Sequence, residues 1–223
     1  MGQTVTLKAK DGHSFSAYRA DPAGAPKGAI VVIQEIFGVN HHIRAVADGY
    51  AKQGYVAVAP ALFDRAEKNV EIGYDQAGMT AGRGLIGKIP MDKVAEDTQA
   101  AIDYAKQFGK VGIVGYCLGG SVAFTAATKL DGVAAAVGYY GGQIAANAQN
   151  KPKVPTLLHF GDQDQSIPMT DVEKIKAARG GDTEIFVYHA GHGFNCDERP
   201  SYHEESAKVA LQRTLDHFKK YVG

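Results

Sequence analysis

The run Val111-Gly112-Ile113-Val114-Gly115-Tyr116-Cys117-Leu118-Gly119-Gly120 constrains this chain of 223 residues more than any other stretch. Its first half is apolar and β-branched, as a buried strand must be. It passes without a break into Ser121-Val122-Ala123-Phe124-Thr125-Ala126-Ala127, which reads as a helix. Such a junction leaves one side chain, Cys117, on a sharp turn where the helix begins. Gly115 and Gly119 flank it because side chains there would crowd the turn. The helix N-terminus offers backbone N–H groups and a favourable dipole to any negative charge that develops nearby. The pattern is G-x-nucleophile-x-G with cysteine as the nucleophile. An inert, buried cysteine in a tight turn is the competing reading.

Composition removes several function classes. The 24 basic and 24 acidic residues cancel, and no basic stripe stands out, so no nucleic-acid partner is expected. The only two cysteines, Cys117 and Cys196, form no disulfide framework and suit a reducing compartment. No apolar run is as long as a membrane span or a signal-peptide core, so no membrane partner is expected and the chain reads as soluble and cytoplasmic. Met1-Gly2-Gln3-Thr4-Val5-Thr6 fits an N-acylation pattern. However, Val5 and Leu7 alternate with Thr4, Thr6 and Lys8 as in an N-terminal strand, and the strand is the reading adopted. The length suits one sizeable α/β domain over residues 1–223.

The rest of the chain alternates strand and helix signals. Residues 4–8 and 14–19 flank Asp11-Gly12 as a hairpin, and Ala29-Ile30-Val31-Val32-Ile33 is a central strand buried on both faces. A helix with Ile43, Val46, Ala47, Tyr50 and Ala51 on one face ends at Gly54, and a strand over 55–59 stops at Pro60. Residues 62–90 lose periodicity and read as a long excursion with some helix near the rim of the site. A helical stripe at Val94, Thr98, Ala101, Ile102, Ala105 and Phe108 leads into the cysteine strand. Further strands are expected at 133–139, 156–160 and 184–188. Thr170-Asp171-Val172-Glu173 suggests a capping box for a short helix. Ser201-Tyr202-His203-Glu204 caps a final helix that points Ala207, Leu211, Leu215 and Phe218 inward. Such alternation predicts a mostly parallel sheet covered on both faces.

Cys117 has partners in the order that α/β-hydrolases use, an acid and then a histidine, each after a later strand. Asp162 and Asp164 follow the strand at 156–160, and His192 follows the strand at 184–188. A thiolate can attack, an imidazole can take and return the proton, and a buried carboxylate can fix the tautomer of that imidazole. Glu35, directly after the all-apolar strand at 29–33, is a carboxylate in a largely buried mouth, where a raised proton affinity is expected. His41-His42 and His203 lack a metal-ligand spacing and read as a helix start and an exposed face.

With these residues in place, the chain resembles the dienelactone hydrolase family of cysteine α/β-hydrolases. The resemblance rests on Gln34-Glu35-Ile36-Phe37-Gly38-Val39-Asn40, Val58-Ala59-Pro60-Ala61-Leu62-Phe63-Asp64-Arg65, Gly115-Tyr116-Cys117-Leu118-Gly119-Gly120, Gly138-Tyr139-Tyr140-Gly141 and Ala190-Gly191-His192-Gly193-Phe194. It implies an α/β-hydrolase fold and hydrolysis of a small ester or lactone through a thioester, with no cofactor. It also implies roles for Cys117 as nucleophile, His192 as general base and acid, and Asp164 rather than Asp162 as orienting carboxylate, since Ile167-Pro168 follows it closely. Glu35 corresponds to the glutamate that contacts the resting cysteine and helps to form the thiolate. The backbone N–H groups of Ile36 and Leu118 would make the oxyanion hole.

Phe37, Arg83, Tyr140, Phe194 and Cys196 are the candidate substrate-binding residues. Cys196 marks a departure: the family places a carboxylate-binding arginine four residues after the histidine. A second arginine lies in the excursion, where Arg83 is the nearest candidate. The missing arginine suggests a preference for neutral substrates unless Arg83 or Arg199 folds in. A monomer or weak homodimer is expected. The rival function is a redox or ligand sensor that uses Cys117 as a reactive thiol. Dinucleotide binding is excluded because Cys117 occupies the middle glycine position of G-x-G-x-x-G.

Overall fold

In the computed structural model, which describes residues 2–223, the long apolar runs become the middle of an eight-stranded sheet. Met1, which opens the acylation-type pattern, lies outside the described residues. The strands are β1 (Gln3–Lys8), β2 (Ser14–Ala20), β3 (Ala29–Ile33), β4 (Val56–Pro60), β5 (Val111–Tyr116), β6 (Val133–Tyr139), β7 (Thr156–Gly161) and β8 (Thr183–Tyr188). Their spatial order is β1-β2-β4-β3-β5-β6-β7-β8, with β2 antiparallel to both of its neighbours and every other pair parallel. The helices are α1 (His41–Lys52), α2 (Gln76–Ile86), α3 (Met91–Ala105), α4 (Leu118–Lys129), α5 (Met169–Arg179) and α6 (Glu204–Tyr221).

Alternation along β3 explains the two-sided core. Ile30 and Val32 pack with Ile43 and Ala47 of α1 and Phe218 of α6, while Val31 and Ile33 pack with Ala101 and Ile102 of α3 and Val122 of α4. All five β3 residues are fully buried, and burying each large aliphatic side chain is worth roughly 2 kcal/mol. This is an α/β-hydrolase fold: the mostly parallel sheet has helices on both faces, and its strands β3, β5, β6, β7 and β8 deliver their following loops to one edge.

Two local expectations need correction. The capping box expected at Thr170 is not used: the helix begins at Met169 with Pro168 as its N-cap, two residues before Thr170, and no side-chain cap bond. Proline at that position fixes the entry into the helix without needing a hydroxyl. In α6 the cap is His203, whose ring accepts from the Ser206 N–H, and Leu211 is 43% exposed rather than inward. Ala207, Ala210, Thr214 and Phe218 carry the buried face instead. Among the described residues no helix is long and apolar enough to cross a membrane.

Candidate active site

Five loops at the C-terminal edge of the sheet converge on Cys117. This residue stands between β5 and α4 with φ 54° and ψ −113°, a conformation that non-glycine residues adopt only when their surroundings enforce it. The enforcement is visible. The Cys117 N–H donates to the Tyr139 carbonyl at 3.0 Å, and the Gly120 N–H donates to the Cys117 carbonyl at 3.0 Å. A Cβ at Gly119 would come within 2.7 Å of the Gln34 carbonyl oxygen, and one at Gly115 would strike the Gly119 backbone. The flanking glycines therefore seat the first turn of α4 directly on the end of β3. Leu118 is the first helical residue, so its N–H has no acceptor inside the helix.

His192, after β8, points Nδ1 at Asp164 Oδ2, 2.7 Å away. The other oxygen of Asp164 accepts from the Ser166 and Ile167 N–H groups at 2.8 and 3.1 Å, so the carboxylate is anchored on both sides. Asp162 instead meets the exposed ring of His189 at 3.1 Å. Burial alone would make His192 shed its proton. The Asp164 carboxylate and the Cys117 sulfur outweigh that effect and raise the ring to about 10.

Glu35 is buried, with Oε1 accepting from Arg199 at 3.0 Å, while its Oε2 has no partner. The guanidinium is itself mostly buried and lies near the faces of Phe37 and Tyr74, 5.6 and 5.8 Å from the ring centres. Burial works against its charge, and Glu35 then restores it, so Arg199 stays firmly protonated. The resting glutamate is thus held by an arginine, and no Glu35–Cys117 hydrogen bond is present among the described residues. That departs from the contact with the resting cysteine implied by the family resemblance. For a buried carboxylate an ion pair with a guanidinium is the stronger bond.

A cavity of about 230 Å³ opens over Cys117 and is walled by Ile36, Phe37, Leu118, His192, Arg83 and Arg199, with Met79, Ser121, Gln143, Ser166 and Ile167 completing it. A larger groove between α1 and α6 touches none of the predicted catalytic residues. Of the candidate substrate-binding residues, Phe37 and Arg83 line the cavity. Tyr140, Phe194 and Cys196 do not: all three are fully buried behind it. Tyr140, at φ 38°, places its ring 5.1 Å from that of His192 and 5.5 Å from that of Phe194, so these aromatics back the histidine rather than face a ligand. The Cys196 thiol is pushed up to about 12 by burial and then by the Glu35 charge.

Arg83 arrives by a route that the sequence obscured. After Gly38, the Ile72 N–H donates to the Phe37 carbonyl at 3.0 Å, and Asp75 then caps α2 through the Gly78 N–H at 2.7 Å. Gly82 lets α2 rest on the Ile36 carbonyl, which suspends Met79 and Arg83 over Cys117. The sequence reading missed Ser121, Gln143, Ser166 and Met79. For Ser121 a signal existed, because it lies four residues after Cys117 and so shares its side of α4. The histidines His41 and His42 open α1 and face Glu198 and Asp197.

The model of the dienelactone hydrolase family matches residues 15–222. The carboxymethylenebutenolidase of Pseudomonas putida is 36% identical over 222 residues, which covers 95% of this chain and 94% of that protein. A crystal structure from Klebsiella pneumoniae subsp. pneumoniae, described as "Putative Dienelactone Hydrolase", superposes with a TM-score of 0.85 at 32% identity, covering 98% of this chain and 100% of the other. A dienelactone hydrolase from Anabaena variabilis shares the fold with a TM-score of 0.75 at 17% identity, over 100% of this chain and 99% of the other. Sequence and fold agree across nearly the whole length, and the chain belongs to the dienelactone hydrolase family.

Proposed function

We propose that this chain hydrolyses small carboxylic esters or lactones through a thioester formed on Cys117. One observation carries the reading: a cysteine in a strained strand–helix turn shares a small cavity with a histidine bonded to a buried aspartate. Family membership supports hydrolysis of this general type. A thiol that merely sensed oxidants would have no use for an anchored imidazole–carboxylate pair.

The Cys117 sulfur attacks the acyl carbon, and the carbonyl electrons move onto oxygen, facing the Ile36 and Leu118 N–H groups. Each such donor contributes about 3 kcal/mol to the barrier reduction. Collapse expels the alkoxide, which takes a proton from His192 Nε2, since Nδ1 faces Asp164. Acylation removes the negative sulfur that had supported the imidazolium, so the ring now holds its proton less tightly and can act as a base. It takes a proton from water, whose oxygen attacks the thioester. The acid leaves and the thiolate–imidazolium pair returns.

Arg199 and Arg83 make the substrate anionic in this reading, which reverses the preference inferred from Cys196. Arginine occurs seven residues after His192 rather than four, and its guanidinium reaches the cavity. An incoming carboxylate competes with Glu35 for Arg199. Leaving Glu35 as an unpaired buried anion would cost roughly 3–5 kcal/mol, and taking up the thiol proton of Cys117 relieves that penalty. The test compares kcat/KM for mono-p-nitrophenyl succinate and p-nitrophenyl pentanoate in wild type, Cys117→Ala and Arg199→Gln. Wild type is expected to favour the anion by roughly a hundredfold, from one charge-assisted pair of 2–3 kcal/mol, and Arg199→Gln to lose the preference. Turnover by Cys117→Ala at the wild-type rate would eliminate the nucleophile assignment, and equal use of both esters by wild type would eliminate the anion site.

A further inference from the structure

The two arginines account for one side of the cavity and leave the other unassigned. Sheet order sets the sides. Glu35, Ile36 and Phe37 follow β3, and Arg199 and α2 gather there, whereas Gly142 and Gln143 follow β6 and Ser166 and Ile167 follow β7, beyond Cys117. Ser121 stands on this second side. It is 6% exposed, lines the cavity, and lies one helical turn beyond the nucleophile.

Its hydroxyl is held in place. The Gln143 N–H donates to Ser121 Oγ at 3.0 Å, and the close approach that permits this bond depends on Gly141, where a Cβ would come within 2.7 Å of the Ser121 nitrogen. A hydroxyl has one proton to give as well as lone pairs to accept with. Within α4 the usual outlet for a serine is the carbonyl four residues back, yet no bond from Ser121 Oγ to Cys117 or to any other acceptor occurs among the described residues. A nearly buried hydroxyl has thus been oriented by a backbone donor, and its own proton remains unspent at the edge of the cavity.

We propose that Ser121 is a specificity-determining residue that donates its hydroxyl proton to a second oxygen of the substrate, one distinct from the scissile carbonyl and on the side away from the arginines. The substrate class is an oxygenated ester or lactone, with an ether, hydroxyl or keto oxygen near the reacting group. The proposal rests on the hydrolase reading above, with Cys117 as nucleophile, but not on the anion site.

Two pairs of isosteric esters test it. In p-nitrophenyl methoxyacetate and p-nitrophenyl butyrate, oxygen replaces a methylene in the acyl part. In 2-methoxyethyl acetate and butyl acetate, the same exchange is made in the alcohol part. The quantity read is the ratio of kcat/KM in wild type to that in Ser121→Ala for each ester. Intrinsic reactivity cancels within each ratio, and any general loosening of the Gln143 turn lowers both members of a pair alike. Ser121→Ala is expected to cost the oxygenated member of at least one pair about tenfold more than its methylene counterpart, the scale of one neutral hydrogen bond. Ser121→Thr, which keeps the hydroxyl, is expected to restore most of that difference. Equal losses within both pairs overturn the proposal, as does a difference that Ser121→Thr fails to restore. If Ser121→Ala does not fold, the wild-type and Ser121→Thr proteins decide it against Ser121→Val, which matches threonine in shape without a hydroxyl. Cys117→Ala is run with every ester: full activity there refutes the nucleophile reading, a different failure from equal ratios in an enzyme that needs Cys117.

Discussion

Asp164→Asn isolates the proton machinery without dismantling the loop that carries it. The wild-type carboxylate uses one oxygen for the Ser166 and Ile167 N–H groups and the other for His192 Nδ1 at 2.7 Å. An asparagine oxygen can keep both backbone bonds, so two of three contacts survive and the fold is retained. Its amide then turns an N–H toward Nδ1. The imidazole must meet that donor with a lone pair, which moves its proton to Nε2 and removes the base from the atom facing the sulfur. The expected cost is about 10⁴ in kcat, or roughly 5 kcal/mol at 1.36 kcal/mol per decade. Burial, no longer opposed by Asp164, also lowers the proton affinity of His192, so the residual activity should carry a more acidic ionisation than wild type. Steady-state hydrolysis of an activated aryl ester across pH, beside a thermal melt, reads both effects. Asp162→Asn is the control, because Asp162 meets only an exposed histidine. Activity of Asp164→Asn within tenfold of wild type, or a larger loss in Asp162→Asn, would refute this reasoning.

Iodoacetamide at pH 8 should modify native protein once, at Cys117, because Cys196 is fully buried and its thiol is pushed up to about 12; peptide mapping that finds Cys196 labelled at a comparable rate contradicts this. His159 should contribute to acid lability. It is fully buried between Tyr188 and Thr214, and burial first, then Arg213 and His217, depress its ring to about 3. The unfolded chain therefore binds a proton that the folded chain refuses between about 6.5 and 3, so stability falls as pH drops through that window, by up to about 1.4 kcal/mol per unit. Melting curves of His159→Gln should show a shallower fall over the same range, and an unchanged slope would count against it.

The central strands of the sheet were legible because they are apolar runs with hard stops: Ala29–Ile33 ends at Gln34, and Val111–Tyr116 ends at the strained Cys117. The relative order of Cys117, Asp164 and His192 was legible because each lies in the loop after a strand that the sequence marks. The excursion over 62–90 was not. Its placement depends on backbone approach, with Gly78 against Gly73 and Gly82 against Ile36, and on ionic and aromatic contacts such as Arg65 with Asp97 and Tyr74 with Phe37. None of these leaves a hydrophobic period. Leu211 misled in the opposite way. It fits the apolar stripe of α6 but lies at the open groove beside α1, a distinction set by the neighbouring helix rather than by α6 itself.

The position of Arg199 shows why a motif offset is a poor guide to where a charge ends up. Reading four residues past His192 gives a cysteine and an apparent vacancy for a cation. The chain there is not extended: the Cys196 N–H donates to Gly193, the Arg199 N–H to Cys196, and the His203 N–H back to Phe194. Each bond folds the backbone on itself, so the Arg199 side chain reaches the cavity wall while Cys196 stays buried behind it. Gly193, at φ 79°, makes room, since a Cβ there would press on the Arg199 guanidinium. The buried place behind the cavity is then left to a small, neutral side chain. A thiol held protonated by its surroundings fits that place without adding a second charge. The positive charge over Glu35 thus comes from residue 199 rather than from residue 196. What looks in one dimension like a missing cation is, in three dimensions, a guanidinium rooted three residues later that reaches the same cavity.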